Sequence, residues 1–142
     1  MATVTPIGKT LFVDQYIVGP GSAGGFHVDN GDVIETAGLE FISAHIVWNF
    51  SSAPTDFVAN LNVGSQDPAA NAWIQDAPAP DKFYGAYNAG ANELQTNGGG
   101  AASNNQAVLI WNKPFPRYAR LQLVHTSAFT GSVEVILFGW TI

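Results

Sequence analysis

The sequence predicts an all-β chain folded as a two-sheet antiparallel β-sandwich, jelly-roll-like, and three observations carry that expectation. Gly occurs 15 times and Pro 8 times, with Asn, Ser, Thr and Ala filling the connections, a composition that disfavours long helices and suits short strands joined by turns. Apolar residues alternate with polar ones in several stretches, the period of a half-buried strand. About six to eight such stretches follow one another at turn intervals, as the strands of a sandwich do. At 142 residues the chain suits one domain over residues 1–142, large enough to bury a core without disulfides or metal.

Residues 1–9 read as an N-terminal arm. The first strand is Thr10 to Val18, stopped by the loop GPGSAGG. In FHVDNGDVIE, Asn30 and Gly31 stand between two short β-like stretches and predict a type I′ hairpin turn. Leu39 to Phe50 carries the longest alternation, with Ile42, Ala44, Ile46, Trp48 and Phe50 on one face and Phe41, Ser43, His45, Val47 and Asn49 on the other. It reads as a central strand. Phe57, Ala59, Leu61 and Val63 then alternate against Val58, Asn60 and Asn62 in an expected antiparallel neighbour.

From residue 64 to 106 the pattern fails, and only islands such as AWIQ and KFYGAY can pair. Such a segment in a compact domain is functional or holds short elements that periodicity misses. Gly98 to Gly100 read as a flexible tip, Ala107 to Trp111 is an apolar run fit for a buried strand, and Pro114 and Pro116 punctuate the approach to an expected closing strand pair. In that pair Tyr118 to Val124 has one apolar face, Ala119, Leu121 and Leu123. The stretch from Val133 to Trp140 has two: Val133, Val135 and Leu137 on one side, Ile136, Phe138 and Trp140 on the other. A strand apolar on both faces must bury both, and a chain this small has little material for a third layer, so a second subunit is the natural cover.

Charge narrows the function. Hydrophobic residues make up 46% and charged residues only 11%, well below the usual quarter. With five Lys and Arg and a net charge of −6, the chain lacks the basic clusters that nucleic acid or an anionic membrane requires. There is no cysteine, hence no disulfide framework or thiolate site. No basic region followed by an apolar core opens the chain, and no apolar run approaches membrane-spanning length, so synthesis in the cytoplasm is expected.

Candidate chemical sites each meet a plainer alternative. His27, Asp29 and Asp32 offer cation ligands, but not at EF-hand spacing, and a turn using Asp and Asn for local hydrogen bonds explains them. His45 and His125 form a base or ligand pair only if they meet across a sheet. Glu35 and Glu40, five residues apart across a Gly, read as turn-flanking charges and not as a glycosidase pair. No GxSxG elbow is present, and GPGSAGG has neither the spacing nor the lysine of a phosphate loop. The expectation is no enzyme, no metal and no cofactor. Four tryptophans, Trp48, Trp73, Trp111 and Trp140, raise a glycan-binding alternative, with Trp73, Phe83, Tyr84 and Tyr87 as the contact platform. The same rings suit contact with a neighbouring chain, which is the preferred reading.

The stretch PFPRYARLQLVHTSAFTGSVEVILFGW resembles the C-terminal strand pair of small β-sandwich proteins in tailed-bacteriophage virions, in which a Pro-x-aromatic-x-Arg-Leu strand leads through a short turn into Gly-Ser-Val-x-Val. That resemblance covers about a fifth of the chain and is shared by discoidin-like and other jelly-roll modules. It implies a head decoration or cement protein, a homotrimer bound to the major capsid protein on the capsid surface, with Ile136, Phe138 and Trp140 at the subunit interface. The alternative is a lectin-like module, such as a virion protein that attaches to a host.

Overall fold

The computed structural model describes residues 8–19, 26–28, 34–64, 79–91, 93–95, 103–125 and 127–141. Among the described residues the chain is all-β, with a five-stranded and a four-stranded antiparallel sheet sharing one core and a two-stranded ladder beside them. The strands are β1 (Gly8–Val18), β2 (Phe26–Val28), β3 (Ile34–Glu35), β4 (Phe41–Ser52), β5 (Val58–Gly64), β6 (Lys82–Gly85), β7 (Tyr87–Asn88), β8 (Glu93–Leu94), β9 (Ser103–Asn112), β10 (Tyr118–Val124) and β11 (Thr130–Thr141).

The five-stranded sheet has the order β1-β11-β4-β9-β6. In the second sheet β10 is central: β5 pairs with its whole length, and β2 and β3 share its other edge. Alternation places the core as the sequence predicts. Ile42, Ala44, Ile46, Trp48 and Phe50 of β4, and Val133, Val135 and Leu137 of β11, face Ala59 and Leu61 of β5 and Ala119, Leu121 and Leu123 of β10, and all are buried. Gly139 sits on the inner side of β11 because the Phe12 ring and Leu39 occupy the space a Cβ would take. Phe12 is the extra residue at a bulge between Leu11 and Val13.

Three expected pairings are corrected. Tyr118–Val124 and the last strand are not partners: β10 pairs with β5, and β11 with β1 and β4. Nor are β4 and β5 neighbours, since they belong to different sheets. Both short connections cross between sheets, because an apolar face on each strand is satisfied by packing across the sandwich as well as by a hairpin. The third correction concerns β2 and β3, which do not pair with each other. Both run antiparallel to β10, Phe26–Val28 against Leu123–Leu121 and Ile34–Glu35 against Ala119–Tyr118, as two pieces of one edge. Asn30 and Gly31 lie outside the described residues.

The crossings are bonded in pairs. At one end the β4–β5 and β10–β11 connections meet where the Thr55 amide donates to Ser127 Oγ at 2.8 Å and that hydroxyl donates to Thr55 Oγ1 at 3.2 Å. Beneath them Phe57 packs edge-on against Trp48 and Phe50, and Phe129 meets His125 edge-on and Phe50 at a tilt. At the other end, before and after the cis Lys113–Pro114 peptide, Lys113 Nζ meets Glu40 Oε2 at 2.8 Å, the Lys113 amide donates to the Glu40 carbonyl, and the Thr36 hydroxyl donates to the Pro116 carbonyl.

The segment from 64 to 106 holds elements that periodicity misses. β6 extends the large sheet, and β7 and β8 form a two-residue ladder held by Leu94 N to Phe57 O and Ala86 N to Gln106 O.

Candidate functional site

Directly paired residues of antiparallel strands share a face, so the registers define rows across the outside of the five-stranded sheet. One row runs Leu11, Phe138, Ser43, Ile110, Lys82; the next runs Asp14, Ile136, His45, Val108, Tyr84. At one end of the sheet Trp140 pairs with Phe41, and towards the other Glu134 pairs with Val47 and Ser132 with Asn49. The expected interface residues Ile136, Phe138 and Trp140 therefore lie on one surface, on an interior strand and not on an edge strand.

Cross-strand contacts fix this surface. The Trp140 and Phe41 rings stack at 5.3 Å between centroids, Phe138 meets Trp140 edge-on at 6.1 Å, and Trp140 Nε1 donates to Ser43 Oγ at 2.7 Å. The indole is satisfied within the sheet, leaving its carbon face half-buried. His45 Nε2 lies 3.0 Å from Gln106 Oε1. Phe41, Ile110, Ile136, Phe138 and Trp140 remain partly exposed, and no described strand layers over them. Shallow depressions flank Tyr84: one of about 180 Å3 against Gln106 and Val108, another of about 240 Å3 against Phe41, Lys82 and Ile110.

The proposed aromatic platform is divided. Phe83 lies beside Tyr87, with centroids 4.9 Å apart, whereas Tyr84, the next residue on the strand, points to the other face. Tyr87 is buried, and desolvation raises its phenol pKa above the usual value. Trp73 lies outside the described residues.

The titratable candidates are scattered. His45 is on the outer face of the large sheet; His125 is buried beyond the end of β10, with Nδ1 2.8 Å from the Ser127 carbonyl oxygen. They do not form a pair. Glu40 is bound to Lys113, while Glu35 lies 4.0 Å from Arg117 with both side chains largely in solvent. Among the described residues no three His, Asp or Glu side chains gather as metal ligands. Asp29, Asp32 and the His27 side chain fall outside what is described.

No protein-family model, curated protein or solved structure matches the chain. What sequence reasoning missed is the width of the apolar surface. Val108 and Ile110 belong to it, and the signal was present in the run Ala107 to Trp111, which is apolar at every position just as the last strand is nearly so.

Proposed function

We propose that this protein is a structural assembly subunit, acting by having the outer face of its five-stranded sheet covered by protein. The carrying observation is that Phe41, Ile110, Ile136, Phe138 and Trp140 form one partly exposed apolar surface on a rigid sheet, with no described strand above it. Such a surface favours burial at about 25 cal/mol per Å2 of apolar area, and a contiguous patch marks an interaction site more often than isolated residues do.

The setting that best fits is decoration of a virion head as a homo-oligomer, a trimer in the resemblance, with the major capsid protein as second partner. The winding supports the jelly-roll reading, since the chain changes sheet between β1 and β2, β3 and β4, β4 and β5, β5 and β6, β9 and β10, and β10 and β11. A repeated lattice gains stability from many modest contacts summed by symmetry, which suits a low-charge surface without a deep pocket.

Light scattering tests the self-association, and co-sedimentation with empty capsids tests the setting. The wild type is expected above the 15.0 kDa monomer mass, and Phe138→Asp or Trp140→Asp is expected to lower it to the monomer or to cause aggregation. A monomeric wild type ends the self-assembly reading; failure to co-sediment ends the virion reading.

A further inference from the structure

Among the described residues the large apolar side chains with the greatest exposure are Leu11, Tyr16, Val18, Phe83 and Tyr84. All five stand on β1 and β6, the two edges of the same sheet. Tyr16 and Tyr84 are each 63% exposed and Val18 67%, so the rim carries more open apolar surface than the centre. We propose that copies of this chain join head to tail, the β1 edge of one protomer against the β6 edge of the next, around an axis along the strands that turns their outer faces inward. This rests on the self-assembly reading and adds which surfaces meet.

Strand direction supports the contact. Every neighbouring pair in the sheet is antiparallel, so the first and fifth strands run the same way. Rotation about an axis along the strands preserves that direction and places two unlike edges side by side, the condition for a ring that closes. Charge points the same way. Asp14 is exposed on the outer face of β1, and Lys82 is exposed on β6, in the neighbouring row. Unlike edges bring opposite charges together, whereas a two-fold contact of like edges opposes Asp14 to Asp14 or Lys82 to Lys82. Rotation without translation also sets Lys82 level with Leu11 and Tyr84 level with Asp14, within reach of its carboxylate. β6 is only four residues long, so the contact is made chiefly by side chains. The four exposed apolar groups on the outer face, Leu11, Tyr16, Val18 and Tyr84, are then covered in the same event that encloses the apolar face, a cover that face-to-face stacking of two sheets does not give them.

Mixing edge variants tests this. Leu11→Lys with Tyr16→Lys disables one edge, and Tyr84→Lys disables the other; all three positions are exposed, and circular dichroism verifies folding. Each variant alone is expected to run as a monomer. Mixed in equal amounts they are expected to form a dimer of twice the monomer mass and nothing larger, because one intact pair of edges remains. A mixture that stays monomeric overturns the proposal, as does dissociation by the β1 variant alone, which signals like-edge pairing. If neither edge variant dissociates while Phe138→Asp does, the self-assembly reading stands and the edge contact falls; a monomeric wild type removes both. Charge reversal gives an independent measure. Asp14→Lys and Lys82→Asp should each weaken assembly by about five-fold, and the double variant should recover it; no recovery counts against the contact.

Discussion

On the outside of the five-stranded sheet the positions that alternate with the core include the apolar set Phe41, Val108, Ile110, Ile136, Phe138 and Trp140, with Ser43, His45 and Glu134 among them. Around β10, the positions in the same relation to the core are Val58, Asn60, Asn62, Tyr118, Arg120, Gln122 and Val124. Most residues of both sets are half-buried, and Asn62 is wholly buried, its amide donating to Gln122 Oε1 at 3.2 Å while its own Oδ1 accepts no hydrogen bond. Exposure therefore does not separate the two surfaces; chemistry does. Polar groups such as the Asn62 and Gln122 amides are met by hydrogen bonds on the second sheet, whereas the apolar outside of the first gains only by exclusion of water.

The largest effect comes from the layer that both sheets share. Leu137→Ala removes a fully buried side chain next to Phe138 and should cost about 3 kcal/mol by urea denaturation. At the bulge where β11 enters the sheet, Gly131 has φ +115°, and a Cβ would fall on the Asn49 carbonyl and within 2.8 Å of Phe50 Cα. Gly131→Ala should cost about 2 kcal/mol by the same measurement. The comparison of outsides is sharpened by placing one charge on each. Phe138→Asp should abolish assembly in light scattering, whereas Gln122→Asp, which removes the acceptor of the buried Asn62 amide and should cost about 1–3 kcal/mol by urea denaturation, should leave assembly intact. Equal loss of assembly from both would erase the distinction.

The smallest effect concerns alkaline pH. Burial raises the Tyr87 pKa above its unfolded value of 10.0. Below pH 10 the phenol is protonated in both states and the contribution is constant. As pH rises from 10 towards the folded pKa the unfolded chain loses its proton first, so stability falls. Tyr87→Phe should flatten that part of a stability profile measured by denaturant titration.

Much of the fold was legible. Alternation from Leu39 to Phe50, from Tyr118 to Val124 and from Val133 to Trp140 assigned inner and outer side chains correctly, because the period of two is a property of the strand alone. Partners were not legible. The connection from His125 to Phe129 is as compatible with a crossing as with a hairpin, and what decides is long-range packing of Phe129 and Phe57 at the sandwich end. Of the short strands, β6 was legible as the island KFYGAY but without its partner, while β7 and β8 escaped notice because two residues show no period and their ladder depends on backbone bonds to residues far along the chain. Of the interaction surface, Ile136, Phe138 and Trp140 were visible as a second apolar face. Their neighbours Phe41 and Ile110 became visible only once the register was known.

The paired crossings have a mechanical consequence. A sandwich laced at one end can open like a book; this one is laced at both, by Thr55 with Ser127 and by Glu40 with Lys113. Pressure on one broad side reaches the other through side chains in contact, with no free end to splay. Whatever rests against Trp140 thus sits at a fixed height above whatever touches Gln122, and the block behaves as a shim of constant thickness.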